Sequence, residues 1–264
     1  MKLGLIGGGN MASALVGGVL KQQLCQADEI RCSDLDERAR QAMEETHGIT
    51  TGADNGALAR WAEVIILAVK PQYYESVLVS LREVIDETKL LLSIAPGKTL
   101  RWLEETLGKP AKIVRSMPNT PALVGEGMTG VCCNERVDKG DMAQAIRILS
   151  ACGQVEMVSE SLMDAVVAVS GSAPAYVYLL IEAMADAAVL EGMPRAQAYR
   201  FAAQAVLGSA KMVLETGKHP AELKDMVCSP GGTTIEAVRV LEKKKLRSAM
   251  IEAMHACAEK SKQM

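Results

Sequence analysis

Two short runs in this sequence carry the residue types and spacing needed to bind anions. Gly7, Gly9 and Ala12 form a G-x-G-x-x-A pattern directly behind the apolar Leu3-Gly4-Leu5-Ile6 and ahead of a helix-forming stretch. The chemistry implied is phosphate binding, because a strand stops at a tight turn and the next helix opens with backbone N–H groups aimed at an anion. Gly7 suits the turn, Gly9 lets the backbone approach a pyrophosphate, and Ala12 lets the helix pack closely on its strand. The second run, Cys228-Ser229-Pro230-Gly231-Gly232-Thr233-Thr234, interrupts apolar helical sequence far downstream. Gly231 and Gly232 leave N–H groups uncovered, and Thr233 and Thr234 bring hydroxyls to a helix start, which suits a substrate carboxylate. The same residues read equally well as a turn followed by a helix N-cap.

In open α/β sheets the ligand lies beyond the C-terminal ends of the strands, so the residues following each strand are the next candidates. After the second strand come Ser33-Asp34-Leu35-Asp36-Glu37-Arg38. Asp34 favours NAD by charge, whereas Ser33, Arg38 and Arg40 favour NADP, and Asp34 equally suits a helix N-cap. Lys70, in Ala68-Val69-Lys70-Pro71, would stand near the phosphate and ribose of a cofactor or extend into solvent. Ala95-Pro96-Gly97 and Ser116-Met117-Pro118-Asn119-Thr120-Pro121 are stiff loops. Their carbonyls and the Asn119 amide are suited to fixing a nicotinamide ring, or serve ordinary turns.

The elements that must position these groups follow from the hydrophobic pattern. From Lys2 to about Met157 short β-type runs (Leu3–Ile6, Glu29–Cys32, Val64–Val69, Leu90–Ile94, Ile113–Met117, Thr129–Cys133, Gln154–Met157) alternate with helical patterns, the signature of a largely parallel sheet. The helical patterns cover Ala12–Leu20, Glu37–Thr46, Tyr73–Ile85, Thr99–Leu107 and Lys139–Ala151. After about Ser159 only helical segments follow: Ala173–Glu191, Ala196–Thr216, Ala221–Val227, Thr234–Glu242 and Leu246–Glu259. The expected fold class is α/β: a Rossmann-type dinucleotide-binding domain over 1–158, then an all-α domain over 159–264. Several of the later helices are apolar around most of their circumference, which predicts a homodimer formed through this half.

The net charge of −3 offers no basic footprint for nucleic acid. No apolar run reads as a bilayer span, and the N-terminus lacks a signal-peptide pattern, so a cytoplasmic protein without a membrane partner is expected. The seven cysteines (Cys25, Cys32, Cys132, Cys133, Cys152, Cys228, Cys257) form no C-x-x-C pair and read as small buried hydrophobes. His47, His219 and His255 are dispersed and are expected on the surface or in loops, so no metal site is predicted.

The run Leu223-Lys224-Asp225-Met226-Val227-Cys228-Ser229-Pro230-Gly231-Gly232-Thr233-Thr234-Ile235-Glu236-Ala237-Val238 resembles the signature of pyrroline-5-carboxylate reductases. Gly4 to Ala12, Ala68 to Pro71, Met117 to Pro121, Ser170 to Tyr176 and Gly192-Met193-Pro194-Arg195 resemble that family too. The resemblance implies reduction of 1-pyrroline-5-carboxylate to L-proline by NADPH or NADH, the last step of proline biosynthesis. It implies cofactor contacts at Ile6, Gly7, Gly8, Gly9, Asn10, Met11, Ser33 or Asp34, Asn55, Ala68, Val69, Lys70, Pro71, Ala95 and Gly97. It places the substrate against Glu160, Ser229, Gly231, Gly232, Thr233 and Thr234, with the imine nitrogen facing the Thr234 hydroxyl. It also implies dimers, which in some members assemble into larger rings, a decamer among them. NADPH is the family's expected coenzyme, and Asp34, standing where a phosphate-accepting residue is expected, leaves NAD open.

An imine needs less acid assistance than a carbonyl, because its nitrogen is basic enough to take a proton from water or through a hydroxyl. On this reading Thr234 donates to the ring nitrogen while the Gly232 and Thr233 N–H groups hold the carboxylate. A rival reading is a 3-hydroxyacid dehydrogenase, which requires a catalytic lysine; Lys211 and Lys224 are its candidates. A second rival, a non-catalytic nucleotide sensor, predicts binding without turnover.

Overall fold

Strand β1 (Leu3–Ile6) is buried along its whole length, as expected where helices cover both faces of a parallel sheet. The computed structural model describes residues 1–263 and places β1 among eight strands. The others are β2 (Ile30–Ser33), β3 (Thr50–Gly52), β4 (Val64–Leu67), β5 (Leu90–Ser93), β6 (Lys112–Met117), β7 (Gly127–Cys133) and β8 (Gly153–Met157). Their order is β3-β2-β1-β4-β5-β6-β7-β8. Neighbours pair in parallel except β6 with β7. Ile6 at the end of β1 lies opposite both Ser33 of β2 and Leu67 of β4. The strand order therefore reverses at β1, which opens a crevice beyond the carboxyl ends of these three strands.

Helices α1 (Asn10–Lys21), α2 (Glu37–His47), α3 (Asn55–Trp61), α4 (Tyr74–Leu81), α5 (Leu100–Leu107) and α6 (Lys139–Leu149) cover the sheet. One core contains Leu15, Val16 and Val19 of α1 with Met43 and Ile148. The other contains Leu58, Tyr74, Leu78 and Leu103. Each such side chain contributes about 1.5–3 kcal/mol of transfer free energy on burial. Helix starts are capped by side chains: Asp36 accepts from Arg38 N, Asp54 from Ala57 N and Thr99 from Trp102 N. The helix N-cap is therefore Asp36 and not Asp34. Within the sheet and the helices that cover it, two elements were not anticipated, β3 and α3. The helix expected over Tyr73–Ile85 begins at Tyr74 and ends at Leu81.

By internal contacts the chain forms two units, the first comprising Met1–Ser172 and the chain from Cys257 onward, the second Ala173–Ala256. The sheet ends at Met157, but the first unit continues through α7 (Met163–Val166) and a π-helical turn over Val167–Gly171. Its returning segment is tied down by Cys257 Sγ donating to Ser172 Oγ (3.3 Å) and Ser261 Oγ donating to Asp164 Oδ1 (2.7 Å).

The second unit contains α8 (Ala173–Leu190), α9 (Arg195–Thr216), α10 (Pro220–Val227), α11 (Thr233–Lys243) and most of α12 (Leu246–Ser261). Its buried residues among those described are Ala185, Ala198 and Ala202, while Tyr178, Leu179, Leu190, Phe201, Leu214 and Ile251 are exposed. Large side chains outside and alanines inside reverse the usual order and leave an apolar surface without a partner in a single chain. One expectation is corrected here. The run Glu160–Leu190 is 31 residues long and contains an 18-residue stretch of mean hydropathy 1.5, long and apolar enough by length and composition to cross a membrane. The Ser170-Gly171-Ser172 break had hidden its length.

Candidate functional site

The glycine turn is built as its sequence requires. Gly7 has φ +105°, and a Cβ there would stand 2.7 Å from the carbonyl carbon of Ala68, so only glycine fits between β1 and the segment after β4. Gly7 N donates to Ser33 O (2.7 Å). A Cβ on Gly9 would meet nothing within 4 Å, and α1 starts there without a side-chain cap. Its first-turn N–H groups are thus left for a ligand.

Beside this turn lies a cavity of about 520 Å³ lined by Ile6, Gly7, Gly9, Ser33, Asp34, Asn55, Ala68, Val69 and Lys70, along with Leu35, Asp36, Ala39, Tyr73, Ser76 and Val77. An open cradle at a helix N-terminus, at the point where strand order reverses, fits a dinucleotide's pyrophosphate and ribose. Gly8, Asn10, Met11 and Pro71 adjoin these residues in sequence without lining the cavity. Ser33 Oγ donates to Asn55 Oδ1. Asp34 Oδ2 accepts from Gly8 N (2.7 Å), and its Oδ1 accepts from Asp36 N (2.9 Å).

Ala95 and Gly97 follow β5 and Asn119 follows β6, further along the same sheet edge and outside that cavity. The Asn119 amide is engaged by the protein: its Oδ1 accepts from Met128 N (2.9 Å) and its Nδ2 donates to Ser170 O (3.1 Å). Glu160 belongs to the first unit, where its Oε1 accepts from Arg115 Nη1 (2.9 Å) and from Leu100 N at the start of α5 (2.7 Å).

In the second unit, Ser229 to Gly232 form the turn between α10 and α11. Gly231 has φ +67°, Gly232 N donates to Ser229 O (3.0 Å), and Gly232 is the N-cap of α11 without a side-chain cap bond. Thr233 and Thr234 occupy the first turn of this 11-residue helix, Thr233 exposed and Thr234 half-buried. The arrangement offers backbone donors and a hydroxyl to a small anionic molecule.

Both parts of the chain match known families. Residues 160–264 match the family described as pyrroline-5-carboxylate reductase dimerisation, and residues 2–97 match NADP oxidoreductase, coenzyme F420-dependent. The pyrroline-5-carboxylate reductase of Escherichia coli (strain K12) is 51% identical over 263 residues, covering 100% of this chain and 98% of its own. The chain belongs to the pyrroline-5-carboxylate reductase family. A solved pyrroline-5-carboxylate reductase from Coxiella burnetii superposes with TM-score 0.92 at 39% identity, covering 99% of this chain and 97% of its own. The pyrroline carboxylate reductase of Plasmodium falciparum, solved with NADP bound, gives TM-score 0.91 at 35% identity, covering 100% and 97%. Like the rest of its family the chain is an oxidoreductase of the nicotinamide-dependent kind, with a Rossmann-type sheet followed by a helical dimerisation region.

Within that pyrroline-5-carboxylate reductase frame the lysines of the rival reading have ordinary surroundings. Lys211 Nζ pairs with Glu215 (3.4 Å) and is largely exposed. Lys224 Nζ pairs with Asp225 (2.8 Å), whose hydrogen bond raises the lysine pKa and keeps its proton in place. Among the described residues no cluster of three His, Cys, Asp or Glu is placed to hold a metal.

Two side chains organise the sheet edge without having been singled out from sequence. Tyr74, fully buried, donates from its hydroxyl to Leu67 O and accepts from Ile94 N (3.3 Å) and Ser93 Oγ (3.4 Å). It thereby ties the end of β4 to the end of β5, and burial pushes its phenol up to about 12. Arg115, 5% exposed on β6, holds Glu160. The available signal was a charge inside the apolar run Ile113 to Met117. His47 also departs from expectation: it ends α2, half-buried, with Nε2 2.8 Å from Ser13 Oγ.

Proposed function

We propose that the chain reduces the C=N bond of 1-pyrroline-5-carboxylate to L-proline, the closing step of proline biosynthesis. The observation that carries this reading is the start of α11, where Gly231, Gly232, Thr233 and Thr234 present backbone donors and a hydroxyl at a helix N-terminus. A reduced nicotinamide held along the β1–α1 turn would supply hydride to the imine carbon. The Thr233 N–H group at the start of α11 holds the substrate carboxylate, Gly232 N being taken by Ser229 O, and the helix dipole favours its charge. Thr234 Oγ1 donates to the ring nitrogen, and the proton that completes the amine comes through that hydroxyl from water. The balance is one hydride to carbon and one proton to nitrogen, so that C=N becomes CH–NH and the coenzyme leaves oxidised.

In this reading Ile6 to Met11, Ser33, Asp34, Asn55, Ala68 to Pro71, Ala95 and Gly97 bind the coenzyme. Glu160 acts on substrate through the loop it holds at Leu100 N, and Asn119 shapes the nicotinamide end through Met128 and Ser170. The apolar faces of α8, α9 and α12 belong to a homodimer, on which a decamer can be built, and the enzyme works in the cytoplasm. The domain boundary is taken at 158/159, where the sheet gives way to helices.

The deciding experiment is a steady-state assay following nicotinamide absorbance with pyrroline-5-carboxylate, beside oxidation of 3-hydroxy acids. Turnover of the imine alone supports the reading. Turnover of hydroxy acids, or binding of coenzyme with no turnover of the imine, overturns it. Sedimentation of the purified chain as a monomer at micromolar concentration would refute the dimer.

A further inference from the structure

We propose that Asp34 makes the dinucleotide cradle select NADH over NADPH. The inference rests on the reading of the β1–α1 turn as a dinucleotide site and deepens it by naming the coenzyme. Asp34 is the first residue beyond β2 and lines the cavity beside that turn. Two backbone donors, Gly8 N at 2.7 Å and Asp36 N at 2.9 Å, each take one carboxylate oxygen. The group is thus held between the glycine turn and the start of α2, and both hydrogen bonds must break before it swings away from a second anion. Each carboxylate oxygen keeps a free lone pair, and a carboxylate offers only acceptors. It therefore suits the vicinal hydroxyls of a ribose, which are donors. A 2′-phosphate at the same place brings about −1.5 to −2 charges and no donor.

Of the cations near enough in sequence to offset this repulsion, only Lys70 lines the cavity. Asp36, a second carboxylate, lines the cavity, while neither Arg38 nor Arg40 does among the described residues. Arg40 Nη1 is committed to the backbone oxygens of Asp34 (2.9 Å) and Leu35 (3.2 Å). The Ser33 hydroxyl donates to Asn55 Oδ1, so it is not available to a phosphate. Lys70, which follows β4, supplies one cation to the lining against these two carboxylates.

The test is direct titration of the purified full chain with NADH and with NADPH, read by nicotinamide fluorescence or calorimetry without substrate, on the native protein and on Asp34→Asn and Asp34→Ser. Native protein is expected to bind NADH at least ~10-fold more tightly than NADPH, the usual consequence of setting like charges together. Asp34→Asn, which keeps the shape and removes the charge, is expected to narrow the ratio mainly by tightening NADPH, with Asp34→Ser in the same direction. Equal or tighter NADPH binding by the native protein overturns the inference. So does an NADH preference that survives both substitutions. Failure of either coenzyme to bind is a different result and overturns the dinucleotide reading itself.

Discussion

Arg115 and Glu160 are 45 residues apart in the chain, yet Arg115 Nη1 lies 2.9 Å from Glu160 Oε1, the oxygen that also accepts the first N–H of α5. The pair is asymmetric: the Arg115 side chain is 6% exposed and that of Glu160 33%. Removing the partner of the more buried charge is therefore the more damaging change. Glu160→Gln is expected to lower stability by about 3 kcal/mol, and Arg115→Met by about 1 kcal/mol, since Glu160 can turn to water. Urea unfolding of both variants and of the double variant measures this; equal losses would contradict the asymmetry.

Gly7 and Gly9 are separated by the same kind of comparison. Gly7→Ala places a methyl group against the Ala68 backbone at positive φ and is expected to destabilise the fold by about 1–3 kcal/mol. Gly9→Ala meets nothing within 4 Å, so its melting temperature should stay near that of the native protein while dinucleotide affinity falls. If Gly9→Ala binds coenzyme normally, the pyrophosphate does not lie where the open face of α1 would receive it.

Thr234→Ala is expected to lower kcat by roughly 10- to 1,000-fold with intact folding, the range for losing a donor to a developing charge. Thr234→Ser, which keeps the hydroxyl, should recover most of the rate. Single-turnover measurements separate this from product release. Unchanged kcat in the alanine variant removes the hydroxyl from the chemistry.

His47 gives a pH signature. Burial holds its pKa below the ordinary 6.5, so in acid the unfolded chain takes up a proton that the folded ring resists. Stability is therefore full above pH 6.5 and declines as pH falls through that value toward the depressed one. The expected observation is a Tm that drops between about pH 7 and pH 5 and a shallower drop in His47→Gln. An identical pH slope in the variant would assign the effect to other groups.

What the sequence made legible was local. The G-x-G-x-x-A turn, the buried strands and the helices flanking Gly231-Gly232 each depend on a few consecutive residues and were readable within a residue or two. β3 was not: three residues, Thr50 to Gly52, partly exposed at the sheet edge, carry too little pattern to separate a strand from a loop. α3 has seven residues and escaped for the same reason of length. The site's supporting contacts were hidden by distance in the chain. Tyr74 looks like the start of an apolar helix until its hydroxyl is found at Ile94 N, 20 residues on. Asn119 looks like a free amide until Met128 and Ser170 claim it.

The close approach of α1 to the turn at Ser150–Cys152 has a use of its own. A Cβ on Gly18 would collide with the carbonyl of Ala151, and this contact seals Cys152, whose Sγ donates to Ala14 O (3.2 Å). Burial pushes the Cys152 thiol up to about 11, and Cys132 and Cys32 up to about 11 and about 12. Thiolate is the species that alkylating reagents attack, so these sulfurs act as internal clocks. Their labelling rates in native buffer time the spontaneous parting of a helix from the sheet, region by region, with no introduced probe.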